Sequence, residues 1–595
     1  MIFFKPARCS VDFPPGTGGA NASQAATDGA GKAGSPPNPF ARKCDWLGIL
    51  ALGLLWLASR ALPLYWVFSQ LERKFDFELP EVKKLLEYGF WERKGAMLDS
   101  YFGHGLILHP ENHNYVNHPY PILWVYAALQ RLGGDVLVYA SLAAVGMVSC
   151  LLVYVILSRY FRKSSAWLGA ALFTVSQGAI EFDVNTDTVA FGTIVWLLVM
   201  LVVSCVQQER RDFSRRELWL MGLGVFVAGQ CSWFALTALP ALMLITLPPG
   251  VKLSAAVVRP FRIGPWRPLI LGGTATLGLF LLQVLFYSSR GHGEQTYVME
   301  QMGLAHGISR WRSLPFMFCR MILSGPALWL GALVALYQCR ALLKSNRLMQ
   351  GAVSYLPILF VVCLILPGLL SRNQHGFRYP LFPCAVLVCF VLERARSIWL
   401  NLGLAGLAGM GLLLGYAKVQ VVNKSSLAAH TLGRWIAQHS GPRDVVLFNR
   451  ADLSPPVQSY DVEFGSRVGY SADRNVAIAI ADRAAAARAI QMYLPEQPSF
   501  LFLRDTTQPL AGELEQLLGQ QAQLLARTNL PVPVEAVSFY KSARLQLRAW
   551  LSGQAAAVQR PGVMSADADH FSLELYRLNP GSTTDWIHAT NAPPQ

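Results

Sequence analysis

The stretch that decides the reading of this chain runs from Phe75 to Pro121: FDFELPEVKKLLEYGFWERKGAMLDSYFGHGLILHPENHNYVNHPYP. It follows the first long apolar run and leads straight into the next. Connectors between membrane helices are usually far shorter and plainer. Acidic residues come early, at Asp76, Glu78 and Glu81, and a His/Asn/Tyr/Pro-rich tract follows. Such an order points to chemistry at a membrane surface.

The surroundings of this loop are membrane-like. The 595 residues are 53% hydrophobic and only 15% charged, and mean hydropathy is +0.33. Soluble chains carry about 25% charged residues. The formal net charge of +15 would fit nucleic acid, but its distribution excludes that class. From Val421 onward there are 15 Lys/Arg and 15 Asp/Glu, so the excess lies in residues 1–420. There it concentrates in short loops between apolar runs, which is the positive-inside pattern. All ten cysteines fall between Cys9 and Cys389, most of them within apolar runs and without metal-ligand spacing. They read as buried thiols.

Working outward, residues 1–41 are rich in Gly, Ala, Ser and Pro and read as a disordered cytoplasmic tail. Apolar runs at 46–69, 135–157, 165–182, 188–206, 218–235, 236–250, 268–288, 316–338, 351–370, 380–393 and 398–418 predict about eleven membrane helices. Residues 121–132 are apolar but too short to cross, and read as a half-buried or interfacial helix. Basic loops at Arg159–Lys163, Arg210–Arg216, Lys252–Arg267, Arg340–Arg347 and Arg394–Arg396 share one side with Arg42 and Lys43. That side is cytoplasmic. Segments 70–120, 183–187, 289–315 and 371–379 then face outward, and an odd number of spans puts the C-terminus outside too. Residues 421–595 read as a soluble extracytoplasmic α/β domain. Its strands are expected at Asp444–Phe448, Phe500–Leu503 and Phe571–Leu578, and its helices at 482–493 and 511–526.

The groups able to do chemistry collect on the outer side. Asp76, Glu78 and His118 lie in the first loop, Asp183 and Asp187 in the second, and Arg372, His375, Arg378 and Tyr379 in the last. A carboxylate beside a hydroxyl can serve as general base, and arginines grip phosphate with charge-assisted forks. Each group has a plainer role open to it. Asp76 and Glu78 sit near Arg73 and Lys74 and fit a solvated face, Asp187 fits a helix cap, and Arg378 fits an interfacial anchor. His109, His113 and His118 have metal-like spacing, but Pro110 and Pro119 interrupt any helix there.

The order of these elements resembles the GT-C membrane glycosyltransferases that use polyprenyl-phosphate sugars, in particular the protein O-mannosyltransferases and the lipid A aminoarabinose transferases. FDFELPEVKKLLEYGFW looks like the family's acidic first-loop motif, with Asp76 in the place of its aspartate. NHPYPILWVYAALQRLGG from Asn117, NTDTVAF with Asp187, and FRYPLFP with Arg378 and Tyr379 match later elements. Phe77 separates Asp76 from Glu78, where the family often has adjacent carboxylates, so either could be the base.

The resemblance implies an inverting hexosyl- or pentosyltransferase of the bacterial inner membrane, working on the periplasmic face. It would pass sugar from a polyprenyl phosphate to a glycan, lipid or protein acceptor. Asp76 or Glu78 would be catalytic. Asp183, Asp187 and His118 would orient the acceptor. Arg378, Arg372, His375 and Tyr379 would hold the donor phosphate. A divalent cation is the one cofactor these carboxylates could hold. A polytopic transporter or flippase of a lipid-linked substrate is the competing class, and a membrane anchor for the outer domain is a third. Transporters place charges deep in their spans. Here the span interiors read as nearly free of charge, with Arg320 as a rare exception.

Overall fold

The computed structural model describes residues 45–71, 78–98, 105–106, 114, 119–186, 188–248, 251, 258–288, 314–337, 347–365, 378–394, 397–449, 461–477, 480–494, 498–508, 510–531, 570–579 and 586. Asp76, His118, Asp187, Arg372 and His375 lie outside them, as does the 1–41 tail.

The helices run in the order α1 Trp46–Phe68, α2 Glu78–Tyr88, α3 Tyr120–Tyr160, α4 Lys163–Thr174, α5 Gln177–Val184, α6 Val189–Glu209, α7 Arg215–Cys231 and α8 Leu239–Ile245. They continue with α9 Trp266–Ser288, α10 Leu314–Leu323, α11 Pro326–Tyr337, α12 Arg347–Ile365, α13 Leu381–Arg394 and α14 Ile398–His439. Among the described residues, five helices are long and apolar enough to cross a membrane: α1, α3, α6, α9 and the first half of α14. The chain is an integral membrane protein. Most of the other expected spans fall on shorter helices or on pairs of short helices.

Local chemistry explains the breaks. Asp45 caps α1, accepting from the Gly48 amide at 3.2 Å and from the Tyr154 hydroxyl at 2.7 Å. The α3 helix is bent at Gly133 and Gly134, and Gly134 has φ +63°, a conformation glycine adopts without steric cost. The segment 121–132 is therefore the arm of α3 before the bend. The single span expected at 165–182 is two helices, because Ser176 starts a new one. Its Oγ accepts from the Ala179 amide at 3.3 Å, satisfying one of the open donors of a helix start. As a result Asp183, expected in a turn, sits in the last turn of α5.

The largest departure is α14. Its membrane run was expected to end near residue 418, yet the helix continues unbroken to His439. Between Tyr416 and Leu432 there is neither glycine nor proline to stop it. At 1.5 Å per residue, the stretch beyond Val419 adds about 30 Å. Its far end, at Ala429, Leu432 and Ile436, packs on a five-stranded sheet.

That sheet comprises β1 Val445–Phe448, β2 Asn475–Ala477, β3 Phe500–Asp505, β4 Ala522–Pro531 and β5 His570–Leu578, in the order β2-β1-β3-β5-β4. β1 runs parallel to β2 and β3, whereas β5 is antiparallel to β3 and β4. Strands buried on both faces read as continuous apolar runs, as VVLF and FLFL do here. Val446, Phe448, Leu501 and Leu503 face α14 and α15 (Asp461–Ala472). Val445, Leu447, Phe500 and Phe502 face α16 (Arg483–Tyr493) and α17 (Gly512–Gln521). The helix expected over 511–526 ends at Gln521. From Ala522 the chain pairs along β5, and cross-strand packing overrides the helical leaning of AQLLAR.

Candidate functional site

Of the first-loop acidic residues, Glu78 and Glu81 lie in the first turn of α2. Leu79, Val82 and Leu85 form its apolar face and share a core with Tyr126 and Tyr139 of α3, Ile180 and Val184 of α5, Ala190 of α6 and Val419 of α14. Glu78 is the first residue of α2 and is buried, at the helix end where the backbone dipole favours a carboxylate. The other edge of α2 is tied to the C-terminal region. Lys83 Nζ donates to Asp135 at 3.0 Å and to the Tyr470 hydroxyl at 2.5 Å. Lys84 Nζ reaches Glu87 at 2.8 Å and Asp473 at 2.9 Å. Burial disfavours the Lys84 ammonium, but Glu87 and Asp473 outweigh it and hold its pKa above the usual lysine value. Further along the loop, the Gly105 amide donates to Asn475 and the Leu106 amide to the Pro442 carbonyl.

Beside this core, α5 and the residues just before α13 meet α1. Asp183 and Arg378 form an ion pair, Nη2 to Oδ1 at 2.8 Å, with both side chains 0% exposed. A third charge joins them. Arg60, from the interior of α1, donates through Nε and Nη2 to Asp183 Oδ2 at 3.1 and 2.9 Å. Trp56, one turn earlier, donates its indole N–H to the same oxygen at 2.9 Å. Arg60 Nη1 is held in turn by the Ser59 hydroxyl at 2.7 Å and the Thr174 carbonyl at 2.5 Å. Among the described residues, two guanidiniums thus flank one carboxylate, and this trio carries one net positive charge.

Arg378 is held on one side only. Among the described residues, no hydrogen-bond partner meets its buried Nε and Nη1, and Nη2 meets Asp183 as an ion pair without hydrogen-bond alignment. A buried charged donor without an acceptor is costly, which marks this edge as the place for an anion. Next to it, the Tyr379 hydroxyl lies over Gly192 of α6, where a Cβ would come within 2.2 Å of the oxygen. Tyr379 also lines an apolar cleft with Trp196, Ile245, Tyr355, Phe382 and Val386.

Of the residues singled out from the sequence, the structure therefore joins Asp183 to Arg378, sets Tyr379 beside them, and places Glu78 on the helix packed against α3, whose core also takes in Ile180 and Val184 of α5. Asp183 is not an open acid: both oxygens are engaged, Oδ2 by Arg60 and Trp56 and Oδ1 by Arg378. Sequence reasoning missed Arg60. The signal was there, as a lone charge in WLASRALPL, about 12 Å from the C-terminal end of α1 at helical rise. With Arg60 in place, the span interiors are not nearly free of charge, and that ground for preferring an enzyme over a transporter falls. Among the described residues, no three His, Cys, Asp or Glu side chains gather as a metal site.

No protein-family signature and no curated protein matches the chain. Solved structures do. The Archaeoglobus fulgidus oligosaccharyltransferase, tethered to an acceptor peptide containing the NVT sequon, superposes with a TM-score of 0.52 at 10% identity, covering 91% of this chain and 89% of that one. The same enzyme in complex with Zn and sulfate gives 0.50 at 10% identity, over 89% and 88% of the two chains. ArnT from Cupriavidus metallidurans, bound to undecaprenyl phosphate, gives 0.47 at 13% identity, over 81% and 96%. The GT-C fold implied by the sequence is thus the fold of this chain.

Proposed function

We propose that this protein transfers a sugar from a polyprenyl-phosphate donor to an acceptor at the outer face of the membrane, with inversion. The observation that carries the reading is Arg378: a buried guanidinium, anchored by Asp183 and open on its other edge, in a chain with the GT-C fold. An open arginine edge suits a phosphate oxyanion, which it can bind bidentately. The apolar cleft beside Tyr379 suits the isoprenoid chain of the donor.

In this reaction the acceptor O–H or N–H loses its proton to Asp76, the acceptor atom bonds to the anomeric carbon, and the bond from that carbon to the phosphate oxygen breaks. The electron pair stays on the phosphate, whose growing charge Arg378 meets, with Arg372 and His375 as further donors. Because the Asp183 oxygens are engaged, the acceptor-orienting role passes to Asp187 and His118. Glu78, buried at the head of α2, is the alternative base. The periplasmic face of a bacterial inner membrane and an extracytoplasmic C-terminal domain belong to the same proposal.

The experiment is incubation of the purified protein with labelled polyprenyl-phosphate sugars. Transfer or hydrolysis that disappears in Asp76→Asn supports the reading. A wild-type protein inert toward all such donors overturns it. Full activity in Asp76→Asn, with loss in Glu78→Gln, moves the base to Glu78.

A further inference from the structure

Arg60 and Trp56 donate to Asp183 Oδ2, on the far side of the carboxylate from Arg378, and are placed to control that arginine. Asp183 Oδ2 receives three donors, two from Arg60 and one from Trp56, which fix the carboxylate plane. Oδ1 is thereby turned to Arg378 Nη2. The back of the carboxylate rests on Gly146 of α3, where a Cβ would lie 2.2 Å from Asp183 Cγ. Arg60 cannot swing away, since Ser59 and the Thr174 carbonyl hold its remaining nitrogen. An arginine has several rotatable bonds, and leaving it fixed by a single ion pair requires that the partner not move.

From this geometry we infer that Arg60, Trp56 and Asp183 are positioning residues that present the free edge of Arg378 to a phosphate group. This rests on the proposed role of Arg378 in holding the donor phosphate. Asp183 has a second effect. Without it, two buried guanidiniums would repel one another. With it the group carries a single net positive charge, which matches the single negative charge of a sugar phosphodiester.

The inference predicts coupling, which a merely structural role would not produce. Binding of a polyprenyl phosphate is measured directly on detergent-purified wild type, Arg60→Lys, Trp56→Phe, Arg378→Lys and the two double variants with Arg378→Lys. Melting temperature is followed in parallel. Arg60→Lys keeps the charge and loses the fork, so affinity falls about tenfold, the effect of misplacing a contact by a fraction of an ångström. Trp56→Phe keeps the ring and loses one donor, for a smaller loss in the same direction. Once Arg378 is lysine, neither change costs more than a further twofold.

Equal losses in both backgrounds overturn the positioning role, as does a lowered melting temperature with unchanged affinity. If Arg60→Lys does not fold, Trp56→Phe decides by the same criterion. Wild type that binds and turns over its donor while the losses are additive defeats this inference alone. Wild type that binds no polyprenyl phosphate defeats it together with the proposed function.

Discussion

Gly146 and Asp183 are in such close contact that the smallest possible side chain at 146 would overlap the carboxylate, 2.2 Å from its Cγ. The carboxylate cannot retreat, because Trp56, Arg60 and Arg378 hold it from the other sides. Gly146→Ala is therefore expected to break this set of contacts rather than shift it. Disrupting a buried pair costs about 3–5 kcal/mol, which should appear as a large drop in melting temperature and loss of donor turnover. Gly53 in α1 is the control. It has open space where its Cβ would be, so Gly53→Ala should match or exceed wild-type stability, by up to about 1 kcal/mol from helix propensity.

Arg378→Lys is expected to bind donor at least about tenfold more weakly while keeping the fold. A lysine retains the charge and can still meet Asp183, but it lacks the second donor edge. Steady-state kinetics with a labelled donor check this. An unchanged KM would show that the open edge has no part in donor binding.

Lys84 ties α2 to Asp473 and Glu87. Its folded-state pKa lies above the ordinary value of 10.5. A group with a raised pKa contributes stability that is fully present below the unfolded value and is lost as pH rises through the folded one. Limited proteolysis of the α2 segment should thus be flat up to about pH 10 and accelerate above it. Lys84→Met should remove the upper part of that rise. Because Asp473 is 65% exposed, the substitution itself should cost no more than about 1 kcal/mol.

Ser214 and Glu217 form a reciprocal cap at the start of α7, in which the Glu217 amide donates to Ser214 Oγ and the Ser214 amide to Glu217. Ser214→Ala should lower stability by about 1 kcal/mol without changing donor turnover, since the cap lies on the side expected to be cytoplasmic. Parallel melting and activity measurements test that separation.

Membrane character, strands β1, β3 and β5 and the GT-C fold were legible because each leaves a linear trace: apolar length, VVLF, FLFL and HFSLELYRL, and the order of the motifs. The partner of Asp183 was not legible, because Trp56 and Arg60 precede it by more than 120 residues and no local pattern encodes that pairing. Helix breaks were hard for another reason. One serine at 176 restarts a helix inside an apolar run, whereas nothing in 419–439 halts one. The β4 strand looked helical because its strand state depends on β5, about 40 residues later.

The long α14 helix and the lysines of α2 together constrain how the molecule can move. A single rod would let the sheet pivot like a flag on its pole. The second attachment, from Lys83 and Lys84 to Tyr470 and Asp473, turns the pole into a two-legged mount. While both ties hold, rotation of the sheet would pull on α2 and so on Glu78 at its head. Under the proposed function, any displacement of the sheet would thus be felt at Glu78, the alternative base, in the same stroke.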